Sequence, residues 1–168
     1  MGNKTLLFSI AVMIIIAAGF IGFEQSKKSQ KLPVSGPDGF NFIFRYGVGA
    51  KNELNTFKQT YTRDMATDPS VTIKFELSSN ELTEVYQKIN DLNLFNKNEE
   101  LIVGNEFVTP CSNYYLKAYI DSTEKELFWD NCRGKISDKL QQFTNFIISI
   151  IEAKDEYKEL PAPKGGYL

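Results

Sequence analysis

The chain of 168 residues contains no histidine, one tryptophan and two cysteines. Without histidine it cannot build the Ser-His or Cys-His pairs that activate a nucleophile, nor any histidine-bearing metal site. Two cysteines fall short of the four Cys or His ligands that a structural zinc site takes. A phosphate-binding loop is missing as well, because "GVG" at residues 47–49 lacks the Lys-Ser/Thr of a P-loop. Strong charge of either sign is absent: 19 basic residues stand against 21 acidic ones, a net charge of −2. Nucleic-acid binders usually present a basic face, so no nucleic-acid partner is expected. No catalytic residue, metal or cofactor is expected either.

Long apolar runs are equally scarce, with one exception. Residues 6–23 form an uncharged stretch of 18 residues, with Lys4 before it and Glu24, Lys27, Lys28 and Lys31 after it. As a helix rising ~1.5 Å per residue it covers about 27 Å, close to the ~30 Å hydrocarbon layer of a bilayer. Residues 1–23 therefore read as an N-terminal transmembrane signal-anchor that meets the lipid bilayer through residues 6–23. Ala17, Ala18 and Gly19 offer an alternative, a cleaved signal peptide and a secreted product. Against cleavage, the apolar run continues through Phe20, Ile21 and Phe23, which would leave an apolar stub. Phe20 stands where a lipoprotein would carry its cysteine, and Leu6 stands where N-myristoylation wants Ser or Thr.

Residues 24–39, "EQSKKSQKLPVSGPDG", hold two prolines and two glycines without apolar periodicity and read as a flexible tether. Residues 40–168 then read as one domain. Its fold class is α+β: an antiparallel sheet of about five strands with two packed helices, in the order βββ-α-ββ-α. "FNFIFRYG" alternates Phe40, Phe42, Phe44 and Tyr46 against Asn41 and Arg45, the period of a half-buried strand. "NELNTF" and "TYTRDM" read as one strand interrupted near Lys58 and Gln59. Asp68-Pro69 reads as a turn, followed by "VTIKFEL" with Val71, Ile73, Phe75 and Leu77 toward the core. Ser78 and Glu81 have the spacing of a capping box, and Leu82, Val85, Tyr86, Ile89 and Leu92 recur at helical spacing behind it. Residues 96–110 read as a long connection with one short extended piece. A second helix carries Ile136, Leu140, Phe143, Ile147, Ile150 and Ile151 on one stripe, with Ser137 as a candidate cap. The tail "EYKELPAPKGGYL" cannot continue that helix; disorder is the default for such an end, with an ordered strap or a partner-binding extension as alternatives.

The two cysteines bound "CSNYYLKAYIDSTEKELFWDNC". If Cys111 faces Cys132, the turn falls at Asp121-Ser122 and Lys117 meets Glu126, Tyr115 meets Phe128, Leu116 meets Leu127 and Tyr114 meets Trp129. Charges of opposite sign, aromatics and aliphatics each find their like, and such pairs contribute about 0.2–1 kcal/mol each. A redox-active dithiol normally uses Cys-x-x-Cys, so this wide spacing points to a structural bridge. Such a bridge persists in an oxidising compartment. The lysines after the anchor would by themselves favour a cytoplasmic domain under the positive-inside rule; the bridge overrides them, and the domain is expected to be extracytoplasmic.

Carboxylates are the remaining chemistry. Asp130, the Glu99-Glu100 pair and the group Asp121, Glu124 and Glu126 have the composition of acid/base or calcium sites, but no Asp-x-Asp-x-Asp-Gly ladder appears and solvated turns explain them better. Alternation splits the hairpin aromatics. Tyr114 and Trp129 fall on the core face, whereas Tyr115, Tyr119 and Phe128 fall on the opposite face as a candidate binding surface.

"FRYGVGAKNELNTF", "TRDM", "TPCSNYYLKAYI" with "ELFWDNC", and the ending "YKELPAPKGGYL" together resemble a group of small, uncharacterised surface proteins of Gram-positive bacteria. Members are anchored by a lipoprotein signal or a membrane helix. The resemblance implies an envelope location and carries no activity; since the lipid-bearing cysteine is missing here, it implies anchoring by the helix. The expected protein is thus a single-pass protein of the cell membrane with a non-catalytic binding or accessory role, partnered by an envelope protein or polymer. The alternative is a carboxylate-dependent envelope hydrolase.

Overall fold

A computed structural model describes residues 39–96, 101–105, 107–120 and 122–167. The anchor over residues 6–23 and nearly all of the tether lie outside the described residues. Among the described residues no helix is long and apolar enough to cross a membrane.

The first strand, β1 (Asn41–Tyr46), forms where the aromatic alternation places it, with Phe42 and Phe44 fully buried. Gly47 ends it at φ 92°, a conformation that favours glycine; a Cβ there would also approach Asn52 Nδ2 to 2.8 Å. A short 3-10 turn leads into β2 (Asn52–Asn55), β3 (Thr60–Met65) and β4 (Asp68–Lys74), each antiparallel to the strand before it. The expected interruption near Lys58 is a full reversal, which makes two strands of the one anticipated. Its cause is local: buried Asn55 accepts the Lys58 N–H on Oδ1 at 3.1 Å, and Gln59 turns the chain at φ 52°. The turn expected at Asp68-Pro69 falls two residues earlier, where Ala66 has φ 58° and its N–H is held by Asp64 Oδ1. Pro69 instead lies in β4, an edge strand, where a missing N–H is tolerated.

Helix α1 (Ser79–Asp91) begins with the capping box: Ser78 Oγ accepts from the Glu81 N–H, and the Glu81 carboxylate accepts from the Ser78 N–H at 2.7 Å. Val85 and Ile89 are buried along its inner stripe. The short extended piece is β5 (Ile102–Val103), which pairs with β8 (Lys135–Ile136) in a separate two-stranded ribbon. Ile136 therefore belongs to a strand and not to the second helix. That helix, α2 (Asp138–Ala153), starts after Ser137 and buries Leu140, Phe143, Thr144, Ile147 and Ile151. A single turn, α3 (Asp155–Lys158), follows it.

Between the ribbon strands lies the hairpin of β6 (Asn113–Ile120) and β7 (Thr123–Asp130). The main sheet has six strands in the order β4-β3-β2-β1-β6-β7, with β1 central and every neighbour antiparallel. The domain is thus α+β with two packed helices, as expected. Its strand count exceeds the expectation because of the reversal at 56–59 and the small ribbon. Both helices cover one face of the sheet: Phe143 of α2 meets Phe44 edge-on at 5.8 Å, and Tyr86 of α1 meets Phe40 at 5.4 Å. Among the described residues the other face carries no second layer.

Candidate functional site

The hairpin register agrees with the sequence reading pair for pair, including Tyr114 with Trp129, Tyr115 with Phe128 and Lys117 with Glu126. Cys111 and Cys132 continue the ladder just beyond its open end and are joined in a disulfide, their Cα atoms 4.9 Å apart. Asp130, one of the candidate acids, accepts the Cys132 N–H on Oδ1 at 2.8 Å and so shapes the turn out of β7. Glu124 and Glu126 both reach Lys117, at 2.7 and 3.7 Å. Glu99, Glu100 and Asp121 lie outside the described residues. Glu124 and Glu126 thus meet at Lys117 and both line a hollow of about 330 Å³ beside Phe95 and Asn96, where that one lysine holds the two of them; Asp130 stands apart at the other end of the hairpin.

Strand alternation sends Tyr114 and Trp129 inward, where their rings stack 5.4 Å apart. It sends Tyr115, Tyr119 and Phe128 to the uncovered face. There the structure brings Tyr115 and Phe128 into contact, ring centroids 4.6 Å apart, with the Arg45 guanidinium 5.5 Å from the Tyr115 ring. Tyr119 lies four residues further along β6 on the same face, roughly 13 Å away by strand geometry, with Lys117 between them. Phe128 is 64% exposed and Tyr119 42%.

Polar groups around this patch are satisfied by one another. Tyr115 Oη donates to Glu126 Oε1 at 2.7 Å, and Arg45 Nε donates to Glu53 Oε2 at 2.6 Å. Partial burial, and then the bond to Glu126, push the Tyr115 phenol up to about 12. The phenol thus stays neutral at any physiological pH. A face of exposed rings among mutually neutralised charges suits stacking and hydrogen bonding to an uncharged partner better than attraction of an ion.

The second feature is the C-terminal strap over residues 159–167, for which the sequence makes disorder the default and an ordered strap an alternative. It is ordered. Arg63 donates to the carbonyls of Leu160 and Pro161 at 3.2 and 3.1 Å while its guanidinium lies 4.0 Å from the Tyr157 ring centre. Ala66 and Lys164 form a parallel bridge, and Tyr167 Oη donates to Asp64 Oδ2. Between strap, sheet end and α2 lies a cleft of about 410 Å³. Asp64 and Glu152 are both on its wall, but both Asp64 oxygens are taken, Oδ1 by the Ala66 N–H and Oδ2 by Tyr167. That carboxylate is an anchor for the strap, not one half of a free acid–base pair. The only hint in the sequence is the spacing of Tyr157, Leu160 and Tyr167, apolar anchors in an otherwise polar tail.

The described residues form a disulfide-stapled, two-layer α+β domain whose sheet has one face that neither helix covers. No family model matches the chain, and no curated protein matches it.

Proposed function

We propose that the chain is a single-pass protein of the cell membrane whose extracytoplasmic domain binds an uncharged portion of an envelope protein or polymer, without catalysing its turnover. The anchor is the apolar segment 6–23, and the resemblance to Gram-positive surface proteins agrees with that location. The observation that carries the binding role is the row of Phe128 on half-buried Tyr115 and, further along β6, Tyr119, on the face that neither helix covers. Exposed aromatic side chains grouped on one open sheet face are the kind of surface that marks an interaction site.

The test is binding of the full chain, in maltoside micelles, to purified envelope polymer and to envelope membranes. A Tyr119→Ser/Phe128→Ser double variant should lose at least about tenfold in affinity while staying folded, with a stability loss of no more than about 1 kcal/mol from the Tyr115–Phe128 pair. Equal binding by the double variant would remove the patch from the account. Release of soluble fragments from the polymer by the purified chain would replace this reading with the carboxylate-dependent hydrolase.

A further inference from the structure

The cleft beneath the strap is on the opposite side of the sheet's end from the aromatic patch and does not depend on it. Four tyrosines, Tyr46, Tyr61, Tyr157 and Tyr167, stand on its wall. Its volume of about 410 Å³ falls in the usual range for a small-molecule site.

Two of these rings already hold cations. The Arg63 guanidinium is 4.0 Å from the centre of Tyr157, and Lys51 Nζ is 4.9 Å from the centre of Tyr167. Tyr46 and Tyr61 lie deeper, their hydroxyls 2.7 Å apart, and hold no cation among the described residues. Tyr61 is fully buried against Phe75 and Tyr157, and one face of Tyr46 is stacked on Phe44 at 5.4 Å, which leaves the paired phenol oxygens to accept and the other face of Tyr46 to favour positive charge. The charged groups on the wall itself are Arg63, Asp64 and Glu152, and Lys51 beside it donates to Tyr167 Oη at 2.9 Å, so the charges balance and differ in which of them is uncommitted. Arg63 is committed to the strap carbonyls and to Tyr157, and Asp64 to Tyr167. Glu152, in the last turn of α2, makes no hydrogen bond or ion pair among the described residues, yet it is near enough to Tyr46 to act on its phenol. An anion entering this space would meet an unpaired carboxylate and the negative faces of tyrosine rings. A cation would meet a counter-charge and an aromatic lining.

From this arrangement we infer that the cleft is a binding site for an organic ammonium group, with Glu152 as its counter-charge and the Tyr46 and Tyr61 pair as its floor. The cleft is larger than one ammonium head, so the head is carried on a longer polar body that leaves past the glycines of the strap. The strap, which supplies Tyr167 and the Gly165-Gly166 rim, forms the outer wall.

Calorimetric titration of the full chain in maltoside micelles tests this with choline and its neutral isostere 3,3-dimethylbutan-1-ol. Choline should bind saturably and at least about tenfold more tightly than the neutral alcohol. Glu152→Gln should weaken choline by about tenfold or more without changing the melting temperature, because Glu152 is exposed and bonded to nothing that the fold needs. Tyr46→Phe, which keeps the ring, should weaken it less than Glu152→Gln. Phe128→Ser should leave choline binding unchanged, which separates this site from the patch on the open face. Equal affinity for the alcohol, choline binding indifferent to Glu152→Gln, or no saturation up to concentrations on the order of tens of millimolar would each overturn the inference.

Discussion

Trp129 concentrates two opposing effects in one side chain. It is 4% exposed, stacked on Tyr114 at 5.4 Å and on Phe44 at 6.2 Å, so its ring area is a large part of the aromatic core. Its Nε1 is buried with no hydrogen-bond partner among the described residues, which costs about 1–3 kcal/mol relative to a satisfied donor. Trp129→Ala removes the packing and should destabilise by about 3–5 kcal/mol. Trp129→Phe loses some volume but also removes the orphan donor, so it should cost no more than about 1 kcal/mol. Urea unfolding followed by far-UV circular dichroism distinguishes the two, since the only tryptophan is itself the substituted residue. A loss above about 2 kcal/mol in Trp129→Phe would mean the indole N–H has a partner after all.

Between elements, the contact that fixes the helix layer is Glu81 with Lys154. The carboxylate that closes the α1 capping box also accepts from Lys154 Nζ at 2.8 Å, tying the start of α1 to the end of α2. Partial burial by itself would raise the Glu81 pKa; the bonds from Lys154 and Ser78 outweigh it and hold the group below its ordinary 4.5. A carboxyl with a depressed folded pKa contributes stability above its unfolded pKa and loses it as pH falls through the folded one. Glu81→Gln should therefore cost about 1 kcal/mol at neutral pH. The gap between variant and parent should stay constant down to roughly pH 5 and close below 4.5, read as the urea midpoint against pH. A gap that persists at pH 3 would assign the effect to lost packing. The same element shows what a sequence conveys. The capping box and its helix were legible because both partners lie within four residues, and the hairpin register because every facing pair is fixed once one is chosen. The reversal at 56–59 was not, since no glycine or proline marks it and a side chain, Asn55, does the turning. The patch at Tyr115 and Phe128 followed from alternation. The cleft was hidden because Arg63 and Asp64 meet the strap nearly a hundred residues later in the chain, where no local pattern reaches.

At the scale of the molecule, the sheet has distinct ends. The chain enters β1 at Asn41, opposite Tyr119 and next to the reversal of the β6–β7 hairpin, while the disulfide closes the hairpin's other end. The eight residues of each hairpin strand separate those ends by about 27 Å. With both described cysteines in one pair, the redox state of the bridge reports whether the domain sits in an oxidising compartment, and so tests the proposed extracytoplasmic location. A loop of this length contributes about 3 kcal/mol in the chain-entropy model, a sizeable share of the 5–15 kcal/mol that keeps a domain folded. Chain isolated from intact cells under alkylating conditions should show no free thiols by intact mass. A version beginning at residue 24, held in the cytoplasm, should show two and unfold with about 2–4 kcal/mol less stability. Cys111→Ser/Cys132→Ser in the full chain should reproduce that loss and become insensitive to reductant. Two free thiols in the freshly isolated full chain would place the domain on the reducing side, and the proposed anchor would then have to run in the direction that the lysines after it favour.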